Sequence, residues 1–326
     1  MKPVMLRECR EITAVPDAAL LDLGDGIACL EFRSRGNSIT PGIKDFTLAI
    51  LDQWLHDFDG LIIGNQSKNF SVGANLNVMK QNLDRKDYMA FYRNVCSMQA
   101  VTKALKYYPK PVVAAPYRRT LGGGLEIVLH CHKRVAHSEC LMGLVELGVG
   151  LVPAGGGTKE CALRIGRAEP DQQQEVIRTV FETLLLRKVS DSARNAREML
   201  FLSPGDPVTE NREALIAEAK EECRRMVGKI LPVREASVVL PGRSAYEWMT
   251  EYANQLLEEG RITPYDAVAG TYLAAILAGS ADGEPARYTE DQLLNLEREA
   301  FMALVQEQGT YDRIAYFTEH NALLRN

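Results

Sequence analysis

The chain contains 326 residues, of which 46% are hydrophobic and 25% are charged, so it has enough apolar sequence to bury one or two sizeable cores. Its formal net charge of −5 argues against a general nucleic-acid-binding surface, because such a surface needs concentrated lysine and arginine. The composition is that of an ordinary globular protein and favours small-molecule chemistry.

Neither the cysteines nor the first residues indicate a secreted or membrane protein. The seven cysteines are widely spread and include no Cys-x-x-Cys pair, so neither a disulfide framework nor a zinc site is indicated. Residues 1–17 form a polar leader without the apolar run of a secretory signal, and no stretch of 18 apolar residues occurs. We therefore expect reduced thiols, no membrane association and a cytoplasmic location.

The first elements of the chain predict a hairpin followed by a helix and a strand. Residues 20–23 and 27–32 are apolar and flank Gly24-Asp25-Gly26, which is typical of two strands joined by a tight turn. Helical spacing runs from Pro41 to residue 57, and residues 60–64 predict a short buried strand.

Strand and helix continue to alternate up to residue 136. The predicted elements are a glycine turn at 71–74, a helix at 84–107, a strand at 110–115, a glycine turn at 122–124, a helix at 123–131 and a strand at 133–136. Such alternation predicts a mostly parallel sheet that is covered by helices.

Beyond about residue 158 the character of the chain changes, because charged helical stretches dominate. Helices are predicted at 168–187, 191–200, 209–229, 243–260, 264–278 and 289–308, with loops at 202–207 and 279–285. Nearly all glycine turns lie in the strand-rich first half, which places the chemistry there.

Two glutamates lie beside glycine-rich turns in that half. Glu126 falls in the first turn of the helix that follows Gly122-Gly123-Gly124, and Glu146 lies just before a glycine run at 148–157. Backbone N–H groups at the start of a helix and in a second glycine turn at 70–76 would together form an oxyanion hole. Paired carboxylates supply acid and base, so the sequence predicts a site that binds an oxyanion and moves protons.

These motifs resemble those of the enoyl-CoA hydratase/isomerase, or crotonase, superfamily. The matching segments are the first oxyanion turn at 70–76, the strand at 110–115, the second turn with its glutamate at 121–126 and the second glutamate segment at 143–158. They occur in the family's order over about residues 20 to 165. The resemblance implies an α/β fold, a crotonase-like spiral of ββα units with an extended helical C-terminal region. The corresponding division is a leader at 1–17, a catalytic core at 18–190 and a helical region at 191–326.

The resemblance also implies roles for individual residues. The N–H groups of Ala74 and Gly123 would hold the thioester oxygen of an acyl-CoA. Glu126 and Glu146 would position a water for attack on the β-carbon of a 2-enoyl-CoA and exchange its proton with the α-carbon, as in an enoyl-CoA hydratase of fatty-acid β-oxidation. No metal and no cofactor beyond the coenzyme A of the substrate would be needed. Further contacts with coenzyme A are predicted at Arg33, Lys68, Val72, Gly122 and Gly155, with a solvated surface position as the alternative for Arg33 and Lys68.

Later segments resemble the tail of bacterial fatty-acid oxidation proteins in which a 3-hydroxyacyl-CoA dehydrogenase precedes a hydratase domain. These segments are 232–236, 240–244 and 296–301. The chain has the hydratase part and the tail without that dehydrogenase, which is typical of a free-standing or excised piece. Expected partners are an acyl-CoA substrate and either further copies of the chain or a β-oxidation complex with a dehydrogenase or thiolase. Acyl-chain length and oligomeric state stay open.

Two residues and one segment depart from the family pattern. Asn75 stands where the first turn usually has Asp, His132 replaces a common Asp, and Tyr117-Arg118-Arg119-Thr120 occupies an approach where small residues including glycine are usual. An isomerase or acyl-CoA hydrolase of the same fold is an alternative, since such members of the superfamily often lack one of the two glutamates. So is a non-catalytic subunit in which Arg118 and Arg119 mark a remodelled site.

Other motifs are weaker. The glycines at 148–153 lack the third glycine of a dinucleotide fingerprint, and 155–159 lacks the Gly-Lys-Ser/Thr of a phosphate loop. The histidines at 130, 132 and 137 lack the spacing of a metal site, and we interpret them as ordinary helix and loop residues.

Overall fold

The computed structural model describes residues 3–230 and 235–326, so most of the predicted tail motif at 232–236 lies outside the described residues. The strands are β1 (Arg10–Val15), β2 (Ala18–Asp22), β3 (Ile27–Phe32), β4 (Gly60–Ile63), β5 (Val112–Ala114), β6 (Arg119–Leu121), β7 (Lys133–Arg134), β8 (Ala136–His137), β9 (Leu141–Gly143), β10 (Val208–Thr209), β11 (Ser237–Leu240) and β12 (Ala286–Thr289). The helices are α1 (Pro41–Gln53), α2 (Leu76–Asp84), α3 (Tyr88–Lys106), α4 (Gly123–Leu129), α5 (Gly157–Arg167), α6 (Gln173–Leu185), α7 (Ala193–Glu198), α8 (Leu215–Met226), α9 (Arg243–Glu258), α10 (Pro264–Ala278), α11 (Glu290–Leu304) and α12 (Gln308–His320).

These elements form two compact units that interleave along the chain. The first unit takes residues 3–74, 100–143 and 189–230, and the second takes 75–99, 144–188 and 235–326. Each unit is thus assembled from three separate segments. The consecutive division at residues 17 and 190 stays a prediction.

The main sheet of the first unit has the strand order β1-β2-β3-β4-β5-β7. The predicted hairpin is confirmed, since β2 and β3 pair antiparallel with Leu20 opposite Leu30. From β3 onwards the pairings are parallel, as the alternation predicted, because the connection from β3 to β4 contains α1 and returns the chain in the same direction. The leader adds β1, an antiparallel edge strand that was not predicted.

Apolar strands and one helix of the C-terminal half build the core of this unit. Leu20, Leu30 and Ile62 are fully buried, and α8 packs on β3, β4 and β5. The contact is close at Gly60, where an added Cβ would lie 2.5 Å from the Cys223 sulfur. Any larger residue at this position would push α8 away from the sheet.

A second, short sheet determines where the glycine turns lie. β6 pairs with β9 in parallel, and Ser71 forms an isolated parallel bridge with Thr120. Parallel strands end on the same edge of a sheet. The residues after Ser71 and after Leu121 therefore emerge on one side.

The second unit is mainly helical, which confirms the predicted helical C-terminal region. α10 packs against α5, α6, α9 and α11, and α12 packs against α2. Thr263 caps α10 through a reciprocal pair of hydrogen bonds with Asp266. Among the described residues, no helix is long and apolar enough to cross a membrane.

Candidate active site

The first predicted oxyanion turn is held by its own polar side chain. Ser71 is fully buried, donates its hydroxyl to the carbonyl of Asn37 at 2.7 Å and accepts the N–H of Gly73 at 3.2 Å. Gly73 has a φ of 83°, and an added Cβ would lie 3.0 Å from the carbonyl oxygen of Leu121. Glycine is required here both by the backbone conformation and by the neighbouring turn.

The second turn packs directly on the first. Gly122 has a φ of 53° and donates its N–H to the carbonyl of Gly143 at 2.9 Å. An added Cβ at Gly124 would lie 2.4 Å from the Ser71 Cβ. The structure thus brings the turn that contains Ala74 together with Gly122 and Gly123 in the first unit.

The second turn leads into α4, whose first residue is Gly123. Backbone N–H groups in the first turn of a helix have no acceptor within the helix and carry the positive end of its dipole. This end of α4 is consequently suited to an oxyanion. The donor roles of Ala74 and Gly123 stay predictions.

Glu126 lies in the first turn of α4 and is 4% exposed. Its N–H donates to the carbonyl of Gly122 at 3.0 Å, and its own carbonyl lies 2.6 Å from His130 Nδ1. A buried carboxylate is unusual unless polar or charged partners surround it or it has a functional role. The predicted catalytic residue therefore lies beside the glycine turns and away from solvent.

Glu146 belongs to the second unit, where it begins a single turn of 3₁₀ helix, Glu146–Val149. This loop is anchored by α12: Arg313 donates to the carbonyl of Leu147 at 2.8 Å, and Thr310 donates to the carbonyl of Gly150 at 2.8 Å. Gly150 has a φ of 80° and no room for a side chain against Tyr265. Side chains from the C-terminal region thus determine the path of the backbone that carries Glu146.

Arg313 is itself fixed by a buried ion pair. It is 1% exposed and donates to Asp266 Oδ1 at 2.7 Å, which also accepts from Arg187 at 2.6 Å. Burial alone would raise the pKa of Asp266, but the N–H of Thr263 and the two guanidinium groups outweigh it and hold that pKa below its usual value. No local sequence motif marks Arg313 or Thr310, so the sequence alone does not predict their roles.

The glycine run at 155–157 begins α5, which starts on a buried carboxylate. Glu297 is fully buried and accepts the N–H of Gly156 at 2.9 Å and that of Lys159. The Lys159 ammonium lies 2.6 Å from Glu160 and 2.8 Å from Glu290. Burial on its own would lower the pKa of Lys159, but Glu160 and Glu290 outweigh this effect and hold that pKa above its usual value. This lysine is committed to an internal ion pair, and the predicted coenzyme A contact at Gly155 stays a prediction.

The other predicted contacts of coenzyme A occupy varied surroundings. Arg33 pairs with Glu11 at 2.7 Å and Glu31 at 2.8 Å, so a phosphate would have to compete with two carboxylates for it. Val72 is exposed, and Lys68 lines a pocket in the first unit.

The departures from the family pattern have structural roles. Asn75 caps α2 by accepting the N–H of Asn77, and His132 Nδ1 accepts the N–H of Val112 at 3.0 Å. Burial lowers the pKa of His132. Tyr117 is buried and directs its hydroxyl to Asn65 and to the carbonyl of Ser67. The Asn75 cap is a local contact, whereas the contacts of His132 and Tyr117 join residues that are distant in the sequence.

Residues 22–176 match the family model for enoyl-CoA hydratase/isomerase. The chain is 37% identical over 311 residues to a Bacillus subtilis protein named Probable 3-hydroxyacyl-CoA dehydrogenase; the match covers 95% of this chain and 39% of that protein. The chain therefore spans well under half of this relative.

Solved structures resemble the chain over most of its length. A carnitinyl-CoA dehydratase from Mycobacterium thermoresistibile matches with a TM-score of 0.65 and 15% identity, covering 94% of this chain and 90% of that one. An enoyl-CoA hydratase from Mycobacterium avium subsp. paratuberculosis matches with a TM-score of 0.60 and 16% identity, covering 96% and 100%. At these identities the likeness concerns the fold alone.

Proposed function

We propose that this chain is an enoyl-CoA hydratase, because residues 22–176 match the family model for enoyl-CoA hydratase/isomerase and the chain has the crotonase-like fold expected from its sequence. It would convert 2-enoyl-CoA to 3-hydroxyacyl-CoA in fatty-acid β-oxidation. The observation that carries this proposal is the direct packing of the two glycine turns at Gly73 and Gly122, next to the buried Glu126.

The proposed reaction begins with the thioester carbonyl of the substrate. The N–H groups of Ala74 and Gly123 donate to its oxygen, which becomes more negative as the enolate forms. Each such donor contributes about 3 to 4 kcal/mol of transition-state stabilisation. The flexibility of glycine at Gly73 and Gly122 supports this role, since ligand atoms can then approach the main chain closely.

The two glutamates supply the proton transfers. The water oxygen bonds to the β-carbon, and the electron pair of the double bond moves to the thioester oxygen. One proton of that water is delivered to the α-carbon as the carbonyl re-forms, so that water adds across the double bond without a redox step. We assign Glu126 and Glu146 to hold the water and transfer its proton, which contributes on the order of 10² to 10⁴ in rate for each group.

The relationship to the Bacillus subtilis protein supports a proposal about the next step. That protein carries the name of a 3-hydroxyacyl-CoA dehydrogenase, and this chain corresponds to 39% of its length. A 3-hydroxyacyl-CoA, the product proposed here, is the substrate that such a name describes. We propose that a dehydrogenase consumes the product of this protein.

A direct assay tests the hydratase proposal. Purified protein should remove the enoyl-thioester absorbance of crotonyl-CoA or of longer 2-enoyl-CoAs, and Glu126→Gln should lower kcat by roughly 100-fold or more. Glu139→Gln, which changes an exposed glutamate of the same unit, should leave kcat unchanged. Glu146→Gln should resemble Glu126→Gln.

Two outcomes would contradict this proposal. One is a folded protein that hydrates no enoyl-CoA of any chain length under conditions in which an authentic hydratase does. The other is conversion of 3-enoyl-CoA to 2-enoyl-CoA that survives Glu146→Gln, since it would identify an isomerase that needs a single glutamate.

A further inference from the structure

A pocket of about 680 Å³ lies in the first unit, away from the glycine turns. Arg119 and Leu141, the first residues of β6 and β9, are among the residues that line it. The glycine turns follow the last residues of the same strands. The first and last residues of these three-residue strands are about 7 Å apart, because a strand rises about 3.3 Å per residue. The pocket therefore lies at the start of the strands, and the proposed oxyanion hole lies beyond their ends.

The pocket is strongly basic. Four of its lining residues are cationic (Lys68, Arg118, Arg119 and Arg212), and none of the described residues that line it is acidic. Within residues 3–230 and 235–326, no carboxylate forms an ion pair with any of these four side chains. The chain as a whole has 43 acidic and 38 basic residues, so this cluster is a local reversal of its charge.

Arg212 is held in place inside this cluster. Its guanidinium carbon lies 3.3 Å from the centre of the Tyr117 ring, and Nη2 donates to the carbonyl of Asn65 at 3.3 Å. Burial and the nearby charge of Arg118 both lower the pKa of Arg212. The repulsion between these two arginines would be relieved by an anion bound between them.

Arg118 adopts a backbone conformation that glycine would adopt more easily. Its φ is 44°, in the left-handed region that L-residues other than Asn, Asp and glycine rarely occupy. Hydrogen bonds hold the backbone on both sides, from Leu141 N to the Arg118 carbonyl at 2.7 Å and from Ser71 N to the Arg119 carbonyl at 3.0 Å. A long cationic side chain is thus present where backbone geometry favours glycine, which points to a use for that side chain.

We propose that this pocket binds a phosphorylated small molecule of nucleotide size. Guanidinium groups present planar pairs of N–H donors that match phosphate oxygens, and three of them surround this pocket. The volume exceeds the needs of a single phosphate and falls in the range of about 300 to 1,000 Å³ found for small-molecule sites. The proposal is argued from the residues of this pocket alone and uses no step of the proposed hydratase reaction.

Calorimetric titration of the full chain with adenosine 3′,5′-bisphosphate and with inorganic pyrophosphate tests the proposal. Both should bind at low ionic strength and bind less tightly as salt is added. Arg118→Gly and Arg212→Gln should each weaken binding by roughly 10-fold to 100-fold, as expected for loss of a charged hydrogen bond. Circular dichroism and thermal melting would verify that both variants are folded.

Lys86→Gly is the matched control. Lys86 is an exposed cation with a φ of 54°, so this variant makes the same backbone change and removes one charge outside the pocket. It should bind both probes as the unaltered protein does. Failure of both probes to bind at low salt, or affinities unchanged in both Arg118→Gly and Arg212→Gln, would overturn the proposal.

Competition with coenzyme A separates two sources of the phosphate. If coenzyme A displaces the bisphosphate, the pocket holds the phosphorylated end of the substrate, and Arg118→Gly should raise KM with little change in kcat. If coenzyme A and the bisphosphate bind together, the ligand is a separate phosphorylated molecule. The titration requires no turnover, so its result and that of the hydratase assay are independent.

Discussion

Glu126 and Glu146 are held in place by different means. Glu126 lies on α4, which follows the second turn. That turn meets the first turn backbone to backbone at Gly73 and Gly122, and Gly124 of α4 packs on the Ser71 side chain. Glu146 lies on a loop whose carbonyl groups accept hydrogen bonds from the buried side chains of Arg313 and Thr310. A close backbone contact depends on a missing Cβ, whereas a side-chain anchor depends on charge and hydrogen bonding. The two regions should therefore fail under different substitutions.

The largest effect is expected at the side-chain anchor. Arg313→Met would leave the Asp266 carboxylate buried without the more deeply buried of its two guanidinium partners, and the Leu147 carbonyl without its donor. We expect the free energy of unfolding to fall by about 3 to 5 kcal/mol, measured by urea denaturation.

Arg187→Met is the matched control, because Arg187 contacts the same Asp266 oxygen but is more exposed. Arg187→Met should lower the free energy of unfolding by less than Arg313→Met does. It should also lower kcat by less, because the loop of Glu146 keeps its hydrogen bond from Arg313. Equal losses in both variants would show that the bond from Arg313 to the Glu146 loop contributes nothing.

A smaller loss of stability, with a large loss of activity, is expected at the backbone contact. Gly73→Ala would place a Cβ 3.0 Å from the Leu121 carbonyl oxygen and separate the two turns. Because a displacement of about 1 Å can reduce the rate about 100-fold, kcat/KM for enoyl-CoA should fall at least that far. The free energy of unfolding should fall by about 1 to 3 kcal/mol more than in a Gly→Ala variant that has the same backbone strain but no such contact.

Gly228→Ala provides that comparison. Gly228 also has a positive φ, 71°, but no atom of the described residues lies within 4 Å of an added Cβ. It should lose stability through backbone strain and keep full activity. If Gly73→Ala and Gly228→Ala were equally active, the contact between the turns would not matter for catalysis.

The smallest effect is expected at Arg118 in the basic pocket, where an arginine occupies a left-handed backbone conformation that glycines occupy in the two turns. Arg118 has a positive φ, as Gly73 and Gly122 do, but it carries a long side chain. A left-handed conformation costs an L-residue about 1 to 2 kcal/mol, and the greater flexibility of unfolded glycine offsets about 0.5 to 1 kcal/mol of the gain. Arg118→Gly should therefore raise the unfolding free energy by about 0.5 to 1 kcal/mol while weakening phosphate binding.

Lys86→Gly should show a comparable gain from the backbone alone, without an effect on phosphate. A difference between the two gains would measure the repulsion that Arg118 exerts on Arg212. A loss of stability in Arg118→Gly would contradict the backbone argument.

Several elements were missed for physical reasons. β1 is a polar edge strand with exposed residues at its start, so it lacks the apolar alternation that marks a half-buried strand. α5 begins with glycines, and its first turn is stabilised by Glu297 from a helix far along the chain. α12 contains Gly309 and a mixed polar sequence, and its burial against α2 depends on tertiary contact. Local propensity is too weak to predict such elements.

The sequence by itself determined the glycine turns, the two glutamates beside them, the first hairpin and the helical C-terminal region. The turns depend on the backbone freedom of glycine, and the hairpin and helices depend on the spacing of apolar residues. Both can be recognised from residues that are close together in the sequence. Tertiary structure alone decided that Arg313 anchors the loop of Glu146 and that Lys68, Arg118, Arg119 and Arg212 share one pocket. Their partners lie tens to more than a hundred residues away, and no local pattern specifies which distant side chains will meet.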